Sequence, residues 1–170
     1  MERGSALTVA EVNDLDVAAF VAAFGAVFEG SPELAAAAAS ARPFADRAAL
    51  VAAFDAVAAR LDADAALALL RAHPVLGARH AMAPASQHEQ AAAGLVDLAE
   101  ARRERLADGN ERYLQRFGFP FILAVAGRSP DEVEAALAAR LDHSPEVEWA
   151  TALAEVRRIA ALRIERLVAP

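Results

Sequence analysis

The chain has 170 residues, is 56% hydrophobic and 24% charged, and carries a formal net charge of −7. It is too apolar for a disordered chain, has no apolar run near the ~20 residues that span a bilayer, and is too acidic, at a pI of about 5.1, for a broad nucleic-acid surface. The absence of cysteine removes disulfides, thiolate metal sites and cysteine nucleophiles together.

All 17 basic residues are arginine and more than a quarter of the chain is alanine. Both residues are strong helix formers, so the expected class is all-α. The length suits one domain over residues 1–170, a compact bundle of about seven or eight helices.

In chain order, Asn13 or Asp14 caps a first helix that runs to Gly30. Ser31-Pro32-Glu33 starts a second, which stops near Arg42-Pro43. Asp46 opens a third, in which Leu50, Phe54, Val57 and Leu61 recur at helical spacing. Asp62 opens a short fourth that ends near His73, because Pro74 follows. Residues Pro74 to Ala85 read as a loop. Ser86 begins a long helix to about Leu106, broken by Asp108-Gly109-Asn110, with a further turn or two to Phe117. Phe119–Val125, within GFPFILAVAG, reads as an extended buried segment. Ser129-Pro130-x-Glu132 is a capping box with Pro, opening a helix to about Leu141. Ser144-Pro145 opens the last, to about Val168.

Four places carry chemistry. His73 lies at a helix C-terminus, where the dipole favours the imidazolium of a proton donor. A histidine there also caps terminal carbonyls, and both readings stay open. Ser86-Gln87-His88-Glu89 has capping-box spacing. The same helix start offers N–H groups, and Glu89 and Gln90 add an acceptor and an amide for a ligand rich in N–H and C=O groups. On a helical wheel centred on Trp149, the residues Leu153, Val156, Ala160, Arg163 and Leu167 fall within about 40°. Arg157, Arg158 and Arg166 lie off this stripe. An arginine on an apolar face needs an anion, either a carboxylate of this chain or a bound oxyanion. FGFPFILAV leaves backbone groups that pair either with loop backbone or with a planar polar ligand.

His73, His80 and His88 match no zinc spacing, so no metal is expected. There is no glycine-rich phosphate loop and no G-x-S-x-G elbow.

Four blocks in order resemble one family: HPVLG at His73–Gly77, SQHEQAAAGL at Ser86–Leu95, NERYLQRFGFPFILAVAGRS at Asn110–Ser129, and the closing EWATALAEVRRIAALRIERLV. They resemble the 2-oxo-4-hydroxy-4-carboxy-5-ureidoimidazoline (OHCU) decarboxylases of urate degradation. The resemblance covers nearly the whole chain and is weakest before Arg42. It implies a compact helical fold, usually a homodimer, that uses no cofactor and converts the small ureidoimidazoline substrate to (S)-allantoin. It places the catalytic roles on His73, Glu89 and Arg163. Substrate contacts then fall on Pro74, on Ser86, Gln87, His88, Glu89 and Gln90, on Phe121, Ile122, Leu123, Ala124 and Val125 largely through backbone, and on Arg163. The loop holding His80 and Met82, and the turn Asp142-His143-Ser144, depart from the family pattern.

Two other functions fit these residues: a lyase or hydrolase acting on another ureido or purine-derived compound, and a non-catalytic helical binding module. MERGSALTVAEVND lacks the apolar stretch of a secretory signal, so the expected location is cytoplasmic, with neither nucleic acid nor membrane as partner.

Overall fold

In the computed structural model, which describes residues 6–78 and 82–170, nine helices and no strand make up the regular structure. They are α1 (Val9–Asp14), α2 (Val17–Phe24), α3 (Pro32–Ala39), α4 (Arg47–Ala59), α5 (Ala63–Ala72), α6 (Pro84–Ala92), α7 (Glu100–Phe117), α8 (Pro130–Arg140) and α9 (Pro145–Leu167). None is long and apolar enough to cross a membrane. The chain forms two compact units: residues up to Ala66 together with Arg157–Pro170, and Leu67–Val156. His80 lies outside the described residues.

The first unit packs around phenylalanine. Phe20, Phe24, Phe28 and Phe54 are buried, and their ring centroids lie 4.7–6.2 Å apart. Phe20 and Phe24 are four apart on α2, so both project from one face. Asn13 donates through Nδ2 to the Phe44 carbonyl at 2.9 Å and accepts from the Phe44 N–H at 2.8 Å. Leu7 bridges to Val168 in parallel, donating to the Leu167 carbonyl and accepting from the Ala169 N–H, both at 2.8 Å. Arg157 pairs with Asp55.

The second unit joins α6, α7 and α8 with the adjoining parts of α5 and α9. A Cβ on Gly109 would stand 2.7 Å from Leu137 Cδ2, so glycine lets α7 approach α8 closely. Arg71 Nε donates to the Gly118 carbonyl at 2.9 Å. Phe119 through Val125 are buried at every position, and Pro120–Val125 is neither helix nor strand.

Several expected boundaries hold. Asp46 caps α4 by accepting from the Ala49 N–H at 2.7 Å. Asp62 Oδ1 accepts from the Ala65 N–H at 2.9 Å at the start of α5. Ser129 and Glu132 form the expected capping box of α8.

Others are corrected. Asn13 does not cap the first long helix, because its carboxamide is committed to Phe44. A short α1 precedes, capped by Thr8, and Asp16 caps α2, which stops at Phe24 rather than Gly30. Ser86 does not open its helix. Pro84 takes the first position with Ala83 as N-cap, so the expected box of Ser86 and Glu89 is absent. That helix ends at Ala92, where Gly94 (φ 71°) permits a Schellman turn with Leu95 N–H donating to Gln90 O at 3.0 Å. Asp108-Gly109-Asn110 runs unbroken inside α7, its glycine used for packing. These changes raise the helix count above the expected seven or eight.

Replacing Phe54 by Ala is expected to cost about 3–5 kcal/mol of stability, read from the denaturation midpoint. The Asp55 carboxyl is held below its ordinary value of 3.8 by its hydrogen bonds from Arg157. A depressed pKa contributes stability above the unfolded value that is lost as pH falls through the folded one. The pair is about two-fifths exposed, so the contribution is small. Asp55→Asn is expected to flatten the fall in Tm below about pH 4 and to leave its shape at neutral pH unchanged.

Candidate active site

His73 follows the last residue of α5 and is 7% exposed. Its Nδ1 lies 2.9 Å from the carbonyl oxygen of Leu69, one turn earlier. A carbonyl only accepts, so Nδ1 carries a hydrogen. The capping reading therefore holds at Nδ1, and Nε2 is the nitrogen the proton-donor reading requires. Pro74, next in the chain, is half-buried.

The loop after His73 is held by two carboxamides. Asn110 Nδ2, from α7, donates to the Leu76 carbonyl at 2.9 Å. Gln90 Oε1, from α6, accepts from the Gly77 N–H at 2.8 Å. Gly77 has φ +76°, and a Cβ there would stand 2.6 Å from Leu106 Cδ2. Ser86 and Gln90, one turn apart on α6, are buried, and Glu89 is half-buried. Gln87 and His88 are exposed. Gln87 Nε2 donates to the Met82 carbonyl at 3.0 Å. The structure thus turns three of the five expected positions inward and two outward.

The buried 121–125 stretch has unevenly satisfied backbone. The Ile122 carbonyl accepts from Arg140 Nη1 at 2.6 Å. The Ala124 N–H donates to Glu155 Oε2 at 2.7 Å, and its carbonyl accepts from Arg128 Nε at 3.1 Å. The Val125 carbonyl accepts from the Arg128 N–H at 3.0 Å. The N–H groups of Ile122, Leu123 and Val125 donate to no described residue. Buried amides require acceptors, so this row suits a ligand bearing carbonyl or carboxylate oxygens.

Beside this stretch lies a charge cluster. Glu148 is fully buried, and Arg140 is 6% exposed. Arg140 Nε donates to Glu148 Oε1 at 2.8 Å, and Nη2 also pairs with that oxygen. Tyr113 donates its hydroxyl to the same oxygen, and His143 Nδ1 meets Oε2 at 2.7 Å. The Arg140 guanidinium lies 4.7 Å from the Phe121 ring centroid. Burial, then the bond to Glu148, pushes the Tyr113 hydroxyl far above its ordinary range, so it stays a donor.

In the other unit, Arg163 is 5% exposed, as the apolar-face argument requires. Its Nη1 donates to Glu29 Oε2 at 3.1 Å and to the carbonyls of Ala26 and Val27 at 3.0 and 3.3 Å. An internal carboxylate is therefore present. The buried face of α9 is rotated from the expected stripe. It comprises Glu148, Ala152, Val156, Ile159, Ala160, Arg163 and Ile164, while Trp149 and Leu153 are half-buried and Leu167 is 39% exposed.

The sequence reading missed Arg140, Glu148, Tyr113 and Asn110. A signal for Glu148 existed: it precedes Ala152 and Val156 at four-residue steps, so a wheel drawn for carboxylates finds it on the apolar face. Among the described residues, no group of three or more His, Asp or Glu side chains is placed to hold a metal ion.

The all-helical frame thus holds a buried histidine with its Nδ1 committed to backbone and, separately, a buried non-helical stretch with unpaired N–H groups. Residues 13–165 match the family described as OHCU decarboxylase. The chain is 45% identical over 158 residues to the OHCU decarboxylase of Haloferax volcanii, covering 93% of this chain and 94% of that protein. It is similar to a crystal structure of an OHCU decarboxylase in the presence of (S)-allantoin, with TM-score 0.70, 27% identity, and coverage of 83% and 94% of the two chains. It is also similar to a crystal structure of (S)-allantoin synthase, with TM-score 0.76 and 29% identity, over 95% of this chain and 54% of that longer one. The chain belongs to the OHCU decarboxylase family.

Asn110→Ala removes the bond to Leu76 O and is expected to cost about 1–3 kcal/mol. Hydrogen exchange at the Gly77 and Ala78 amides should quicken in the variant more than at the α8 amides.

Proposed function

We propose that this chain decarboxylates 2-oxo-4-hydroxy-4-carboxy-5-ureidoimidazoline to (S)-allantoin in urate degradation, with His73 as the proton donor and without a cofactor. The observation that carries the reading is the buried His73 ring, with Nδ1 committed to the Leu69 carbonyl; in this reading Nε2 is the donor atom.

The reaction breaks one carbon–carbon bond. Its electron pair enters the conjugated ring of the substrate as CO2 leaves, and a proton then returns to carbon on one face. The protein's tasks are to orient the carboxylate, exclude water and place one acid on one side. Arg163 orients an anionic group of the substrate, its guanidinium steadied by Glu29. Ser86, Glu89 and Gln90 hold the ureido arm. Gln90 Oε1 already accepts from Gly77 and one hydrogen of its Nε2 meets Met82 Sδ at 3.4 Å, so the other Nε2 hydrogen is the donor toward ligand. The backbone of Phe121–Val125 grips the ring, with the N–H groups of Ile122, Leu123 and Val125 as donors because that of Ala124 is taken by Glu155, and Pro74 lies beside the substrate. Gln87 and His88 belong to the same helical turn, with both side chains exposed, and line the substrate side from its rim. One catalytic domain over the whole chain, a homodimeric assembly and a cytoplasmic location complete the reading.

The test follows circular dichroism while urate is fed through urate oxidase and hydroxyisourate hydrolase. The wild-type chain is expected to speed loss of the intermediate and to accumulate (S)-allantoin rather than racemate. His73→Gln is expected to lower kcat by about 10²–10⁴-fold, the usual worth of a general acid, with helix content unchanged. Full activity in that variant removes His73 from the mechanism. Decay at the spontaneous rate with folded wild-type protein and active upstream enzymes overturns the reading and leaves the site to another ligand.

A further inference from the structure

The amides of the 121–125 stretch can serve a ligand only if something fixes their direction, since no helix or sheet ladder does so. We infer that Arg140 is the positioning residue for this stretch, a role that rests on the proposed substrate contact of Phe121–Val125. Arg140 touches the stretch twice. It donates to the Ile122 carbonyl at 2.6 Å, and its guanidinium stacks at 4.7 Å on the ring of Phe121. The first contact fixes a peptide plane: the carbonyl of Ile122 and the N–H of Leu123 belong to one rigid unit, so holding the oxygen aims the amide. The second fixes the side chain immediately before it.

Arg140 is itself immobilised. Its Nε and Nη2 engage Glu148 Oε1, and Tyr113 donates to that same oxygen. His143 holds the other oxygen of Glu148. The carboxylate therefore acts as a fixed post, and the fork geometry of the guanidinium transmits its position to Ile122 O. Lysine has a point charge and no fork, so it can neutralise Glu148 but cannot hold both Glu148 and Ile122 in one plane. The arrangement also leaves Ile122 O unavailable to substrate.

The test uses Arg140→Lys, which retains a cation beside buried Glu148, in the full chain. Phe54→Leu, in the aromatic core of the other unit, serves as the control for lost stability. Amide NMR signals of Ile122, Leu123 and Val125 are followed during titration with (S)-allantoin, and kcat and KM are measured for each variant. In wild type these amides are expected to shift. In Arg140→Lys, (S)-allantoin binding should weaken and KM rise by about tenfold, with kcat little changed, as loss of uniform binding requires. Phe54→Leu should lower Tm without moving either quantity. Wild-type (S)-allantoin affinity and KM in Arg140→Lys overturn the positioning role, as does an equal rise in KM in the control. If the wild-type amides do not shift while His73→Gln still loses turnover, the substrate contact of the stretch is wrong and the role of Arg140 falls with it.

Discussion

The carboxylate of Glu148 has no exposure to solvent, and the half of the fold that carries His73 is arranged to make that tolerable. Removing an ionised carboxylate from water costs several kcal/mol even after relaxation. The compensation here is dense: a guanidinium, a phenol and an imidazole converge on two oxygens. Each partner comes from a different place in the chain, with Tyr113 on α7, Arg140 at the end of α8 and His143 in the turn before α9. One anion therefore sets the mutual placement of three segments. Such a cluster contributes little net stability compared with well-packed apolar residues, but it punishes any displacement by leaving a charge unpaired. Precision of placement is the property it supplies.

Placement matters because the proposed ligand contacts are main-chain groups in a stretch without secondary structure. Helices and sheets direct their amides automatically. The 120–125 run has no such ladder, so its amides are directed by side chains that reach in from outside: Arg140 to Ile122 O, Arg128 to Ala124 O, Glu155 to Ala124 N–H. The histidine side of the site is built by the same device, with Asn110 and Gln90 gripping Leu76 and Gly77. In both cases polar side chains, all but Arg128 from helices, hold an irregular backbone.

Where a polar residue bonds its own helix, the sequence was often legible, although Thr8 and Asp16 were passed over for Asn13 and Asp14. Asp46, Asp62, Ser129 and Glu132 all act within four residues of themselves, and local rules find them. Where the same residue types bond a distant backbone, local rules mislead. Asn13 reads as a cap yet serves Phe44, 31 residues away. Asn110 reads as part of a break yet serves Leu76, 34 residues away. Ser86 reads as a cap, but Pro84 starts the helix two residues earlier. For the candidate site, His73, Arg163 and the buried run at 119–125 were visible because a histidine before proline, a charge on an apolar face and an apolar non-helical run are each locally anomalous. Arg140 was not, since arginine in the last turn of a helix is unremarkable until its partners are known.

The bond from His73 Nδ1 to Leu69 O has a further consequence for the order of events. A histidine that relays protons takes one up at one nitrogen and passes another on from the opposite side of the ring. Here one side is closed by a carbonyl of the same helix. In the proposed mechanism the nitrogen that gives its proton to the product is therefore also the one that is refilled, and product stands over it until it leaves. Each cycle of that mechanism is then sequential: product departs, the proton is restored, and only then does the next molecule react.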